Sequence, residues 1–186
     1  MKLGSGDVVI FPTDTVYGIG AKINDVEALE KIYEIKRRPK DKRLAVLCAD
    51  ISDIEKIAVL NDTARKLIDN FMPGALTLIL YCKKEFINEY IFETVAVRIP
   101  NHELALRILA VNGPMATSSV NVSGNKPMND YLEIVKSFSD EVLYVYPNAL
   151  ESSQVSSTII DLSKDECTLI REGNIKFSEI TNFLNK

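Results

Sequence analysis

The chain has 186 residues, 46% apolar and 26% charged, which is the balance of a globular domain and not of a disordered tail. Its net charge of −4 argues against a generic nucleic-acid or membrane-surface binder, and apolar stretches such as Ala75–Tyr81 are too short to span a bilayer. Three widely spaced cysteines (Cys48, Cys82, Cys167) and a single histidine, His102, give no disulfide framework and no zinc site, and leave a Ser-His-Asp scheme hanging on one residue.

The N-terminal Met1-Lys-Leu-Gly-Ser-Gly has no apolar signal core, so secretion is not expected, and the cysteines read as buried small hydrophobes in a reducing cytoplasm. Val8–Phe11 is a β-branched run that predicts a strand. Pro12-Thr-Asp-Thr then leads into Gly18-Ile-Gly20, which reads as a loop with tight backbone. Val26, Leu29, Ile32 and Tyr33 follow helical spacing after Asn24-Asp25, and the helix must end before Pro39. Leu44–Leu47 reads as a strand, and Ser52-x-x-Glu55 as a capping box opening a short helix. Ala64–Phe71 is a helix stopped by Pro73-Gly74. Leu76–Tyr81 and Val95–Ile99 are predicted strands. Leu104–Leu109 is a predicted helix with His102 as a polar residue at its start, and Met115–Ser119 is a strand. Asp130 caps a helix around Leu132–Phe138. Leu143–Tyr146, Thr158–Ile160 and Thr168–Ile170 are strands, and Phe177–Leu184 is a last helix. Roughly seven strands interleaved with five or six helices predict an α/β fold with a mixed parallel and antiparallel sheet, the antiparallel pairs falling in the last third.

Four stretches carry candidate chemistry. Residues 31–43 hold seven Lys or Arg and two acids, a local charge of +5 in a chain of −4. Cations complement a helix end, but Lys36 and Arg38 beside Pro39 also offer the point charge and the fork that phosphate oxygens need. RNA is a third reading of this segment, weakened by the lack of aromatics among the cations of Lys36–Arg43. Thr117-Ser-Ser-Val-Asn-Val-Ser-Gly124 ends a strand in hydroxyls. Ser119 and Asn121, two apart, face one side of extended backbone, although a Ser/Asn turn has the same composition. Phe11-Pro-Thr-Asp-Thr-Val-Tyr-Gly-Ile-Gly20 packs hydroxyls and a Tyr into a strand-to-loop transition. Arg98, alone in an apolar strand run, calls for an anionic partner, either a protein carboxylate or a substrate carboxylate. No Walker loop is present, and Gly18-x-Gly20 lacks the third glycine of a dinucleotide loop.

In order and spacing, Pro12-Thr-Asp-Thr-Val-Tyr-Gly-Ile-Gly, Lys36-x-Arg38-Pro, Ala96-Val-Arg98 and Ser119-x-Asn121-x-Ser-Gly resemble the YrdC/TsaC family of threonylcarbamoyl-AMP synthases. Ser157-Thr-Ile-Ile-Asp161 and Ile170-Arg171-x-Gly173 extend the resemblance over nearly the whole chain, which looks like the short, free-standing, single-domain form spanning 1–186. The resemblance implies a twisted mixed sheet around a large basic cavity. It implies nucleotidyl transfer: L-threonine, bicarbonate or CO2 and ATP give L-threonylcarbamoyladenylate and pyrophosphate. The product would pass to a separate transferase that modifies tRNA, with tRNA itself bound weakly. ATP would arrive with Mg2+, no metal would be held by protein side chains, and the location would be cytoplasmic.

By the same resemblance, Lys36 and Arg38 are catalytic, holding the triphosphate. Thr15, Arg98, Ser119 and Ser157 bind threonine, and Lys42, Thr94, Asn121, Asn129 and Arg171 contact the nucleotide. The chain departs from many relatives at Leu47, where some carry His, at Arg43, where many carry Pro or Gly, and in Thr117-Ser-Ser-Val. The competing readings are an RNA-binding module built on Lys36–Arg43 and a carbamoyl-transfer domain of a larger maturation enzyme.

Overall fold

The protein is described here by a computed structural model covering residues 1–87, 91–148, 150, 152–164 and 166–185. Nine strands among them form one sheet: β1 (Val9–Phe11), β2 (Gly18–Lys22), β3 (Ala45–Leu47), β4 (Leu76–Tyr81), β5 (Thr94–Arg98), β6 (Met115–Ser119), β7 (Tyr144–Val145), β8 (Thr158–Asp161) and β9 (Thr168–Arg171). Their order is β7-β1-β2-β6-β3-β5-β4-β8-β9. The pairs β1–β7, β3–β5 and β4–β8 are parallel and the others antiparallel, so the sheet is mixed along its whole width and not only in the last third.

Six α-helices flank the sheet: α1 (Val26–Lys36), α2 (Ile51–Ile57), α3 (Asp62–Phe71), α4 (Glu103–Asn112), α5 (Tyr131–Phe138) and α6 (Phe177–Leu184). Short polar side chains start most of them. Asp25, Asp50, Asn61 and Asp130 each accept from a backbone N–H of the first turn, which would otherwise be unpaired. His102 does the same for α4, through Nδ1 and the N–H of Ala105.

Two elements differ from the sequence reading. The expected loop at Gly18-Ile-Gly20 is strand β2, registered against β6. A Cβ at Gly18 would lie 2.9 Å from the Thr117 methyl, and one at Gly20 would lie 3.2 Å from both Thr117 and Phe11. These glycines make room for a neighbouring strand's side chains, which a linear reading does not separate from turn chemistry. The cap of α2 is Asp50 and not Ser52; the Ser52 hydroxyl donates to Asp50 Oδ1 at 2.7 Å.

Period-2 alternation in the strands sorts residues between core and cavity. Leu76, Leu78 and Leu80 of β4, Val95 and Val97 of β5, Val46 of β3 and Ile160 of β8 pack with Ile54, Leu67 and Ile180 of α2, α3 and α6. A second core joins Ile10, Ile19 and Ala116 to Leu29, Ile32 and Ile134 of α1 and α5, and a third joins Val9, Phe11 and Met115 to α4. The alternate residues of β3, β4, β5 and β8, opposite the first core, are Ala45, Thr77, Ile79, Thr94, Ala96, Arg98, Ile159 and Asp161, and they line a cavity.

Candidate active site

The cavity has a volume of about 450 Å³. Its described lining holds four arginines, Arg38, Arg43, Arg98 and Arg171, against one carboxylate, Asp161, with hydroxyls from Thr13, Thr15, Ser119 and Ser157. An otherwise acidic chain therefore focuses positive potential in one concave site.

Arg98 ends β5 and is 5% exposed. Its Nη2 donates to Asp14 Oδ1 at 2.6 Å, its Nη1 to Thr15 Oγ1 at 2.7 Å and its Nε to the Gly74 carbonyl at 2.8 Å. Burial pulls its pKa down while the Asp14 carboxylate acts against that pull. The anionic partner that the sequence called for is thus a protein carboxylate; Arg98 also lines the cavity, with two of its five N–H hydrogens outside these three bonds. Asp14 is the partner of Arg98 that the sequence reading did not name. Its signal was available in the need of a buried Arg for an acid and in the Thr-Asp-Thr turn beside β1. Asp14 Oδ1 also accepts from the Asn101 N–H at 3.0 Å, tying the turn to the segment after β5.

The Thr15 hydroxyl is polarised by its neighbours. Thr13 Oγ1 gives its hydrogen to the Val16 carbonyl at 2.6 Å, so in the 3.0 Å contact between the two hydroxyls Thr15 is the donor. Toward a ligand, Thr15 can then only accept.

Of the expected site residues, Thr15, Arg38, Thr94, Arg98, Ser119, Ser157 and Arg171 line the cavity together, whereas Lys36, Lys42, Asn121 and Asn129 do not. The reason is explicit for Lys36, at the end of α1 and 1% exposed. Its three hydrogens go to the Ser119 carbonyl, to the Asn121 carbonyl at 2.8 Å and to Asn121 Oδ1 at 3.0 Å, leaving none for a phosphate. Burial, with Arg38 nearby, pulls its pKa down to about 7. Asn121 is saturated too. Its Oδ1 also accepts from Ser119 Oγ at 2.7 Å, and its amide hydrogens go to the carbonyls of Val122 at 3.0 Å and Asn125 at 2.8 Å. Asn129 Oδ1 takes the Tyr17 N–H at 3.2 Å. Lys42 is exposed and contributes its carbonyl to the rim.

At the rim, Arg38 donates from Nε to the Lys42 carbonyl at 2.9 Å and from Nη2 to the Arg43 carbonyl at 2.6 Å. Arg171 of β9 holds the Ser157 carbonyl from Nε and Nη2 at 3.2 and 2.9 Å, and Ser157 Oγ meets Thr77 Oγ1 at 2.8 Å. Leu47, 5% exposed, lines the cavity wall. All three cysteines are free, and burial raises each thiol pKa, which suits packing and not nucleophilic chemistry.

A positively focused cavity walled by a continuous mixed sheet belongs to a recognisable class of α/β protein. The Sua5/YciO/YrdC family model, described as "Telomere recombination", matches residues 2–173, and the chain belongs to that family. The Bacillus subtilis (strain 168) threonylcarbamoyl-AMP synthase is 37% identical over 183 residues, 96% of this chain and 53% of the relative. A putative threonylcarbamoyl-AMP synthase of Methanocaldococcus jannaschii is 36% identical over 176 residues, 95% of this chain and 84% of the relative. The crystal structure of Pyrococcus abyssi Sua5 complexed with L-threonine superposes with a TM-score of 0.91 at 33% identity, covering 96% of this chain and 54% of that one. The chain thus spans about half the length of the Bacillus and Pyrococcus proteins.

Proposed function

We propose that this chain is a nucleotidyltransferase that makes L-threonylcarbamoyladenylate and pyrophosphate from L-threonine, bicarbonate or CO2 and Mg2+-bound ATP, supplying the threonylcarbamoyl modification of tRNA adenosine. The observation that carries this reading is the cavity of four arginines and converging hydroxyls, in a fold shared with a Sua5 structure that is named for its bound L-threonine. Arg forks match carboxylate and phosphate oxygens, and both substrates are anionic there.

Arg98, pinned by Asp14, takes the threonine carboxylate. Thr15, able only to accept, takes a hydrogen from the substrate amine or hydroxyl, and Ser119 and Ser157 complete that pocket. Arg38, Arg171 and Thr94 face the nucleotide. Lys36, Asn121 and Asn129 act as positioning residues: Lys36 pins the Ser119–Asn121 turn from below. Lys42 serves through its carbonyl, which orients Arg38.

In the reaction the threonine amine attacks CO2 and loses a proton to give a carbamate. A carbamate oxygen attacks the α-phosphorus of ATP, the bond to the bridging oxygen breaks, and pyrophosphate leaves with that electron pair. Positioning and electrostatic stabilisation suffice for such a step, which needs no covalent nucleophile or histidine base. Residues 1–186 then act as one domain, in the cytoplasm, handing the adenylate to a separate transferase. No helix among the described residues is long and apolar enough to cross a membrane.

Mass spectrometry of the product made with heavy-carbon bicarbonate tests this. The expected product is a threonine–adenylate conjugate carrying the label. An unlabelled threonyl adenylate, or no conjugate, would refute the reading.

A further inference from the structure

The turn between α1 and β3 is the most cationic segment of the chain, with Lys36, Arg37, Arg38, Lys40, Lys42 and Arg43 against Asp41. Like charges at that density push apart, so an ordered turn needs anchors. One anchor is local. The N–H groups of Arg37 and Arg38 return to the carbonyls of Glu34 and Tyr33 at 2.9 and 2.8 Å, with Arg37 in the left-handed region at φ 48°. The other reaches to the neighbouring strand, where Thr94 lies level with Arg43 in the β3–β5 register. Arg43 Nη1 donates to Thr94 Oγ1 and lies 3.5 Å from the Thr94 carbonyl, at the start of β5. Its guanidinium carbon sits 4.7 Å above the centre of the Phe92 ring.

The backbone carbonyls of Lys42 and Arg43 hold Arg38, and the Tyr33 hydroxyl donates to the same Lys42 carbonyl at 3.1 Å. We propose that Arg43 is a positioning residue for the nucleotide: its side chain clasps the 37–43 turn onto β5 and Phe92, and thereby fixes the carbonyls that hold Arg38 in the cavity wall. The proposal rests on the nucleotide reading of this cavity. Arg43 acts through Arg38, so its loss falls on the ATP side of the site and leaves the Asp14–Arg98–Thr15 corner intact.

The test compares Arg43→Ala and Arg43→Lys with wild type in two measurements. Hydrogen exchange without ligand reads the clasp directly. Amides of residues 37–44 should exchange about tenfold faster in Arg43→Ala, with those of α3 unchanged. Steady-state kinetics reads its consequence. The ATP KM should rise about five- to thirtyfold while the threonine KM moves less than about twofold, the range expected from losing a cation–π stack and a charged hydrogen bond. Arg43→Lys should recover part of the effect, since it keeps a donor for Thr94 but loses the planar fork.

Unchanged exchange in Arg43→Ala would overturn the clasp. Faster exchange with an unchanged ATP KM, or with equal shifts in both KM values, would overturn its role in positioning. Should wild type release no pyrophosphate from ATP and threonine, the assignment of the nucleotide falls with the proposed function, while the exchange measurement still decides whether the clasp exists.

Discussion

Arg98 and Lys36 are both buried cations held by named partners. Removing Asp14 strands a guanidinium that is 5% exposed, and breaking such a buried pair from one side costs about 3–5 kcal/mol. Asp14→Ala should therefore lower the melting temperature markedly. Asp14→Asn keeps the acceptor oxygen and should retain much of the stability while raising the threonine KM more than the ATP KM. Calorimetric melts beside kinetics check both, and an unaltered melt in Asp14→Ala would count against the pair. Lys36 gives a pH signature. Its pKa falls from 10.5 unfolded to about 7 folded, so between those values the unfolded chain holds the extra proton. Stability then rises with pH through that window. Denaturant melts from pH 7 to 8, below the range where the thiols of the unfolded chain begin to titrate, should show this rise in wild type and not in Lys36→Met. Equal slopes would show that Lys36 keeps its proton throughout. The sequence exposed the charge cluster but not this division of labour. Nothing in a linear pattern tells whether a lysine's three hydrogens point at a ligand or are consumed by the carbonyls of a turn 83 residues away.

Among the elements, the long periodic ones were legible and the short ones were shaped by neighbours. Helix α6 runs from Phe177 to Leu184 as its pattern indicates, because apolar spacing and burial agree there. Strand β2 was hidden because its two glycines answer to Thr117 and Phe11 across the sheet. β5 starts at Thr94 and ends at Arg98, one residue earlier at each end than the apolar run suggests. Alternation along the strand, and not its boundaries, puts Thr94, Ala96 and Arg98 on the cavity face. A similar close approach sets the β8–β9 end of the site. A Cβ on Gly173 would lie 2.1 Å from the Ser156 carbonyl and 2.6 Å from the Ser157 carbonyl carbon. Gly173→Ala must displace the Ser156–Ser157 segment that leads into β8 and lines the cavity, so threonine-dependent turnover should drop at least about tenfold with a lower melting temperature. Wild-type turnover in this variant would place Ser157 outside the threonine pocket. At the other rim, Arg37 pays for its left-handed conformation, and Arg37→Gly should stabilise the fold by about 1 kcal/mol in denaturant titration.

For the whole molecule, the distribution of charge decides between a small-ligand enzyme and an RNA module. The chain is acidic overall, and its densest run of cations is one turn, which gives Arg38 and Arg43 to the cavity beside Arg98 and Arg171. The aromatic rings beside that turn, Tyr33 and Phe92, are engaged with the Lys42 carbonyl and with Arg43. Base stacking is thus poorly served, and ATP should bind at physiological salt under conditions where tRNA does not, as titrations of both across a salt series would show. Tight, steeply salt-dependent tRNA binding without ATP binding would favour the RNA module. The central claim, that one cavity joins an amino acid to a nucleotide through CO2, is tested most directly by pyrophosphate release from ATP with each component omitted in turn. The expected result is release that requires bicarbonate and threonine together, and that collapses about a hundredfold or more in Arg38→Ala. Release that ignores threonine, or none from the complete mixture, would contradict the account.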